Sequence, residues 1–447
     1  MIPGRAPVPA LFTDLYELTM AQAYVADAMA EAPATFSLFV RTLPAQRNFL
    51  LAAGLETALA GLESFHFDDA AIGYLRSLGR FTPSFLDWLR AFRFQGAVTA
   101  VPEGTPVFAG EPLLEVTAPL AQAQLIETFL INELHLQTML ASKAARIVLA
   151  AQGRRVVDFG ARRVHGIDAS VNGARAFAIA GVAATSNMLA GHIWGLPVVG
   201  TMAHAYVQSF ANEADAFRAF TRHYPDTTLL VDTYDTLDGV RRVIALAHEM
   251  GSDFRVAAVR IDSGDLAALA KASRTLLDAA GLAGVRIFVS GGLDEHAIGA
   301  LLAAGAPVDA FGVGTRMGVS EDVPALDVVY KLTDLGGRGR LKLSPGKNLL
   351  PGRKQVWRVE EGGFAHRDVL GRAGEQLAGR PLLQPVMQAG SRIGAAPSLA
   401  DIAAHAQREQ ARLPPALRAM QPARPPYAVE VSPALAAYAS EVRGSSG

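Results

Sequence analysis

RVAAVRIDSGDLAALAKASRTLLDAAGLAGVRIFVSGG, residues 255–292, carries two short runs of apolar and β-branched residues on either side of an alanine-rich stretch. The outer runs, 255–262 and 285–292, predict strands, and LAALAKASRTLLDAAG at 266–281 predicts the helix that joins them. The same alternation continues in both directions. RRVVDFG (154–160), LPVVGTM (196–202), TLLVDTY (228–234) and VDAFGVG (308–314) read as further strands; TLDGVRRVIALAHEM (236–250) and DEHAIGALLAAG (294–305) read as further helices. The last helix opens on Asp294, a residue type that caps helix starts, and closes on Gly305, a type that ends them. Apolar strands alternating with helices imply a parallel sheet covered on both faces. Six strands are too few for the regular eight-fold barrel. The expected fold class is therefore α/β with an irregular (β/α) barrel, a doubly wound open sheet being the alternative.

Around this centre the 447 residues divide into three expected parts. Residues 1–150 read as a mixed α/β domain. FSLFVRTL (36–43) alternates as a half-exposed strand would, and 98–120 reads as brief antiparallel strands punctuated by Pro and Gly. A long connecting helix follows from about Ala121 to Ala151. Residues 151–330 form the barrel. Residues 331–447 read as a basic Gly/Pro-rich loop segment and a helical carboxyl-terminal extension.

Composition excludes several classes. Lys plus Arg (41) nearly balances Asp plus Glu (42), so no nucleic acid or anionic membrane partner is expected, and any phosphate site must be built locally. The absence of cysteine removes disulfides, thiolate nucleophiles and cysteine-ligated metals. Residues 176–212 carry no Asp, Glu, Lys or Arg, but Thr185, Asn187, His192, Gly195 and Pro197 interrupt them; a buried helix and strand are expected there, not a membrane span. With no long apolar segment after Arg5, a cytoplasmic location is expected.

Chemistry gathers where a parallel barrel builds its active site, at the carboxyl ends of the strands. The ends carry, in turn, Arg162, Arg163 and His165; Thr201 and His204; Asp232 and Tyr234; Arg260, Asp262, Ser263 and Asp265; Ser290, Gly291 and Gly292; and Gly312, Gly314 and Thr315. The last two sets suit a phosphate cradle, because glycine lets backbone N–H groups approach phosphate oxygens. Asp262 and Asp265 suit Mg2+ or ribose hydroxyls, with capping of the next helix by Asp262 or Ser263 as the structural alternative. Arg162 and Arg163 suit a carboxylate or a phosphate. For His204 the pattern leaves a core residue and a catalyst equally open. No Schiff-base lysine stands at a strand end, which weighs against a sugar-phosphate lyase or aldolase.

LFTDLYELTMAQAY (11–24), FVRTLP (39–44), LAAGLE (51–56), SKAARI (142–147), DFGARRVHG (158–166), TSN (185–187), GTMAHAYVQSF (200–210), LVDTYDT (230–236), VRIDSGDL (259–266), SGGLDE (290–295), GVGTRM (312–317) and KLSPGKNLLPGRKQVWR (342–358) follow one another in order. Together they resemble the nicotinate phosphoribosyltransferases. The resemblance implies a type II phosphoribosyltransferase fold and a homodimer with active sites at the subunit boundary. It also implies synthesis of nicotinate mononucleotide and pyrophosphate from nicotinate and phosphoribosyl pyrophosphate (PRPP), with ATP hydrolysed alongside. By the same resemblance His204 is phosphorylated by ATP, and Tyr16, beside Asp14, stacks on the pyridine ring. Arg162 binds the nicotinate carboxylate or nearby phosphates, and Asp262 and Asp265 take ribose hydroxyls and Mg2+. The glycine turns hold the 5′-phosphate. Arg162, Arg163, Arg260, Lys342, Lys347 and Lys354 supply cations for pyrophosphate. Ala205 departs from the Ser or Glu often found after this histidine, removing one polar partner of His204. TDLYE at 13–17, rather than the TDSYK form of nicotinamide enzymes, points to nicotinate over a nicotinamide- or quinolinate-specific relative.

Overall fold

The computed structural model describes residues 10–342 and 349–445, so Lys347 lies outside the described residues. The chain divides into two compact units, one made of residues 143–324 and the other of 1–142 with 325–447. The residues expected as a third part thus belong to the same unit as the amino-terminal ones.

The unit of 143–324 is the α/β one. Its strands are β1 (Arg155–Asp158), β2 (Ala184–Thr185), β3 (Thr228–Leu230), β4 (Ala258–Ile261), β5 (Arg286–Ser290) and β6 (Ala310–Val313). They form one sheet in the order β2-β1-β6-β5-β4-β3, every pair parallel. Helices follow as α1 (Ile167–Ile179), α2 (Met188–Trp194), α3 (His204–Gln208), α4 (Glu213–His223), α5 (Thr236–Met250), α6 (Leu266–Ala279), α7 (Glu295–Ala303) and α8 (Thr315–Gly318). Side chains of Asn187, Asn212, Asp235, Asp265 and Asp294 cap α2, α4, α5, α6 and α7, each cap contributing about 1 kcal/mol.

One expectation fails here. LPVVGTM (196–202) is not a strand: only Val198 pairs, by a single bridge to Thr185, and it stays 41% exposed. The sixth strand is β2 at 184–185, inside the charge-free stretch expected to be buried throughout. Two residues between a helix end and the TSN turn are too short for a periodicity signal to reveal. No pairing joins Val198 to β3 among the described residues, so the sheet curves as a half-barrel.

Strand alternation sorts the residues. Val259, Ile261, Ile287, Val289, Phe311 and Val313 are fully buried. Parallel pairing sets them side by side, with Arg260 opposite Phe288 and Ser290 opposite Gly312 on the other face. Each such buried aliphatic or aromatic side chain contributes roughly 1.5–3 kcal/mol. The second face carries Arg260, Phe288, Ser290 and Gly312, and small or polar residues there leave room for ligands.

The other unit centres on a seven-stranded sheet of antiparallel pairs that includes Pro33–Val40, Ala97–Ala100, Pro112–Pro119 and Val328–Leu335. The expected long helix breaks at Ile126 into Leu120–Leu125 and Glu127–Ala150. Lys354–Glu361 and Phe364–Arg372, expected as loop, form a hairpin. Its turn is Gly362-Gly363 with φ of 59° and 84°, and two positive-φ residues between strands are a hairpin signal that composition alone obscures. The hairpin buries Arg358 against Asp368 through two hydrogen bonds of 2.9 and 2.6 Å. No helix among the described residues is long and apolar enough to cross a membrane.

Candidate active site

At the carboxyl ends of the strands lies a cavity of about 240 Å3, lined by residues that include Phe159, Arg162, Arg163, Arg260, Asp262, Ser290, Gly291, Gly292, Gly312, Gly314, Thr315 and Arg316. Ten of these twelve are sequence-expected site residues brought together from four separate strand ends. The cavity's four arginines against one aspartate make it locally electropositive in a chain of net charge −1. A larger cavity, about 410 Å3, opens at the amino ends of the strands, where Arg155, Thr228, Ala258, Arg286 and Ala310 line it. It gathers none of the glycine turns and only Thr201 of the expected residues, so the smaller cavity is the candidate site.

Each wall has a local cause. Buried Asp158 accepts from the Gly160 N–H (2.7 Å) and from the Thr185 hydroxyl (2.7 Å), which folds the chain back into the short 3-10 turn Ala161–Arg163 and leaves both arginines exposed. Burial raises the Asp158 carboxyl above its usual range. Gly291, at φ +90°, brings the turn after β5 against the turn after β4: a Cβ there would sit 1.8 Å from the Asp262 carbonyl oxygen. At Gly312 a Cβ would sit 2.7 Å from the Phe159 ring, so glycine makes room for the aromatic floor.

Arg260 is fixed on all sides. Its Nε donates to Ser290 Oγ (2.8 Å), Nη1 to Thr201 Oγ1 (3.2 Å) and Nη2 to Asp262 Oδ1 (2.6 Å), and its guanidinium carbon lies 5.3 Å from the Phe159 ring centre. Ser290 also donates to Asp262 Oδ1 (2.5 Å). Burial would push the Asp262 carboxyl up, but hydrogen bonds from Ser290 and Arg260, the Arg260 charge and nearby His204 outweigh it and hold the group below its ordinary range. Asp262 is thus an ionised acceptor within electrostatic reach of His204.

The DSGD segment resolves differently from its capping alternative. The cap of α6 is Asp265, whose Oδ1 accepts from the Ala268 N–H (3.1 Å). The 262–263 turn is held from outside by Asp232, whose Oδ2 accepts from the Asp262 N–H (3.0 Å) and the Ser263 hydroxyl (2.7 Å). Asp232 Oδ1 is buried without a hydrogen-bond partner among the described residues. His204 is the first residue of α3, half-buried, with Nδ1 3.2 Å from Thr233 Oγ1. Thr233 therefore supplies the polar contact that Ala205 does not. Asp232 was legible as a strand-end residue, whereas Thr233, Phe159 and Arg316 were legible only as members of the LVDTYDT, DFGARR and GVGTRM motifs; no spacing rule singles them out. SKAARI and SGGLDE meet in the fold: Glu295 accepts from Lys143 (2.6 Å) and Arg146 (2.9 Å), anchoring α7 behind the cavity.

Tyr16 and Asp14 belong to the other unit. Tyr16 is the second residue of the helix Leu15–Ala26 and is 47% exposed, while Leu11, Phe12 and Leu15 beside it are also exposed. Burial, then the carboxylates of Glu127, Glu17 and Asp14, push its hydroxyl well above the usual phenol range. Asp14 caps nothing; its Oδ2 accepts from the Thr128 hydroxyl (2.7 Å). Glu17 is fully buried and hydrogen-bonded by Thr13 and by Thr128, and burial lifts its carboxyl to about 7. An acid with a raised folded-state value binds its proton where the unfolded chain has lost it, so folding stability falls as pH rises from about 4.5 towards 7. Glu213, also lifted by burial to about 7, adds to this slope. Glu17→Gln should flatten the decline of melting temperature between pH 5.5 and 8; an unchanged slope would mean that Glu17 titrates normally.

Family models match along the chain: the nicotinate phosphoribosyltransferase N-terminal domain over residues 11–135, the quinolinate phosphoribosyl transferase C-terminal domain over 140–331, and the nicotinate phosphoribosyltransferase C-terminal domain over 372–438. The nicotinate phosphoribosyltransferase pncB2 of Mycobacterium tuberculosis is 54% identical over 429 residues, covering 96% of this chain and 92% of that protein. The Bacillus subtilis nicotinate phosphoribosyltransferase is 43% identical over 356 residues, covering 78% and 73%. Among solved structures, human nicotinic acid phosphoribosyltransferase superimposes with a TM-score of 0.85 at 30% identity, covering 96% of this chain and 99% of the other. Half-barrel, arginine-lined cavity and near full-length similarity agree: this chain belongs to the nicotinate phosphoribosyltransferase family.

Proposed function

We propose that the chain joins nicotinate to the phosphoribosyl group of PRPP, releasing nicotinate mononucleotide and pyrophosphate, as the entry step of NAD salvage from nicotinate. The observation that carries this reading is the four-arginine cavity flanked by two glycine turns, in a chain 54% identical to a nicotinate phosphoribosyltransferase. The bond from ribose C1 to the pyrophosphate oxygen breaks, its electron pair leaves with pyrophosphate, and the pyridine nitrogen bonds to the oxocarbenium-like C1. This asks for positioning and charge rather than a covalent sugar intermediate. Arg162 takes the nicotinate carboxylate, and Arg163 and Arg260 face the leaving phosphates. Asp262 and Ser263 lie at the ribose hydroxyls. Ser290, Gly291, Gly292, Gly312, Gly314 and Thr315 cradle the 5′-phosphate.

Among the described residues no cluster of three or more acidic or histidine side chains could hold a metal by itself. Mg2+ takes one or two carboxylates and completes its shell with substrate phosphates and water. Asp262 and Asp265 would hold it, with the orphaned Oδ1 of Asp232 on the neighbouring strand end. When bound, it neutralises charge on the departing pyrophosphate.

ATP is the proposed co-substrate and His204 its acceptor. If Nδ1–H donates to Thr233, the Nε2 lone pair is free to attack the γ-phosphorus: an N–P bond forms, and ADP departs with the electrons of the broken P–O bond. Water then discharges the phosphohistidine during turnover.

The proposed assembly is a homodimer in which Tyr16 stacks on the pyridine ring of a site at the subunit boundary, supported by the exposed Leu11, Phe12, Leu15 and Tyr16 together. Tyr16→Ala should raise the nicotinate KM about tenfold, whereas Tyr16→Phe stays within about threefold, since stacking needs the ring and not the hydroxyl. At nicotinate well below its KM, Tyr16→Ala mixed with His204→Ala should regain ATP-stimulated turnover that neither variant shows alone; no recovery under exchange conditions would place the site within one chain.

The overall reading is tested by incubating the chain with PRPP, Mg2+, ATP and either nicotinate, nicotinamide or quinolinate. Mononucleotide from nicotinate is expected. Preferential use of nicotinamide, or carbon dioxide release from quinolinate, would replace it.

A further inference from the structure

The cavity's positive charge does not come from where a barrel phosphate site usually draws it. In such sites a helix N-terminus points unpaired N–H groups at the anion. Here α7, which follows the Gly291-Gly292 turn, is already capped by a carboxylate of its own: Asp294 Oδ1 accepts from the Ala297 N–H (2.7 Å). The helix after the Gly312–Gly314 turn, α8, is a single turn of four residues. Arg260 lines the same cavity, but hydrogen bonds to Ser290, Thr201 and Asp262 fix its guanidinium, leaving the second N–H of Nη1 and of Nη2 for the leaving phosphates. The helix ends behind the two glycine turns therefore add little charge there beyond what the backbone N–H groups of the turns supply.

Arg316 supplies the missing charge. It is the second residue of α8, lines the cavity beside Gly314 and Thr315, and keeps 42% of its side chain exposed. Its Nη1 donates to Asp294 Oδ2 (2.5 Å), and its Nε lies 3.2 Å from Glu321 Oε2. These two contacts fix the plane of the guanidinium while drawing on Nη1 and Nε, and they tie the two glycine turns to each other. Burial would raise the Asp294 carboxyl, but the Ala297 N–H and Arg316 hold it below its usual range, so the pair stays ionised at neutral pH. A guanidinium already oriented loses little rotamer freedom when an anion arrives.

We propose that Arg316, pre-oriented by Asp294, is the side chain that binds the 5′-phosphate of the phosphoribosyl substrate and product. The inference rests on the phosphoribosyl reading of the cavity and adds to it a residue and a division of labour. Arg316 serves the ribose 5′-phosphate, and Arg162, Arg163 and Arg260 serve the pyrophosphate and the base.

The test measures binding to the full-length protein by calorimetry, using ribose 5-phosphate, ribose and inorganic pyrophosphate as separate probes, alongside the PRPP KM. Arg316→Ala should weaken ribose 5-phosphate about ten- to a hundredfold, the loss of a charge-assisted contact. Pyrophosphate should stay within about twofold. The PRPP KM should rise while kcat changes far less, and Arg316→Lys should recover part of the loss. Arg316→Gln, which can still donate to Asp294, keeps the rim closed and guards against collapse of the turn; it should lose ribose 5-phosphate affinity as Ala does. Unchanged ribose 5-phosphate affinity in both Ala and Gln variants, or loss confined to pyrophosphate, overturns the assignment. Absence of nicotinate turnover in the wild-type protein would instead count against the reaction, while the ribose 5-phosphate comparison still decides the role of Arg316.

Discussion

His204→Ala should lose ATP hydrolysis by about three orders of magnitude or more, because the nucleophile itself is removed. PRPP-dependent synthesis of the mononucleotide should continue slowly, since breaking the C1–oxygen bond needs no imidazole. ATP should then no longer stimulate it. Incubation with γ-labelled ATP followed by an alkaline quench preserves phosphohistidine and destroys acyl phosphates, so peptide mapping should place the label on His204. Thr233→Val should slow labelling by freeing the imidazole to choose its tautomer, and Thr233→Ser should restore it. Label on another residue, or ATP stimulation that persists in His204→Ala, would remove the histidine from the coupling step.

Arg162→Ala is the second large effect. A carboxylate held by a guanidinium in a cavity makes two charge-assisted hydrogen bonds, and losing both costs roughly 10²- to 10³-fold in kcat/KM for nicotinate. Nicotinamide, which makes no such pair, should be affected far less. The acid-to-amide ratio should therefore collapse towards unity. Loss of both substrates in equal proportion would assign Arg162 to the phosphates, which both reactions share. The exposed position of Arg162 on the turn set by Asp158 and Gly160 gives the alanine variant little to destabilise.

Where the sequence spoke clearly, a strong period and a polar strand end coincided. Val259, Ile261, Ile287 and Val289 announced β4 and β5, and the residues that follow them line the cavity at Asp262 and at Ser290 to Gly292. The Asp294 cap and Gly305, at φ +70°, bound α7 as read. Segments that escaped the reading lacked such a period. β2 has two residues, and LPVVGTM looks like a strand but meets no second neighbour, so its Val198 is left as a single bridge. The hairpin 354–372 was hidden by charged residues on both faces, with Lys354, Arg358 and Asp368 buried. Among site residues, Arg316 and Thr233 went unmarked because their roles are set by partners distant in sequence or geometry, Asp294 and the His204 ring. Asp265, a ligand candidate by motif, also caps α6 through Oδ1, by virtue of its place one residue before the helix.

The placement of chemistry at the carboxyl-end cavity is tested most directly by a crystal structure of the full-length protein with nicotinate mononucleotide bound. The 5′-phosphate is expected between Gly291-Gly292 and Gly314-Thr315, within hydrogen-bond distance of Arg316, with the pyridine carboxylate at Arg162. Density for the nucleotide in the larger cavity at the amino ends of the strands, among Arg155, Arg286 and Asp309, would contradict it.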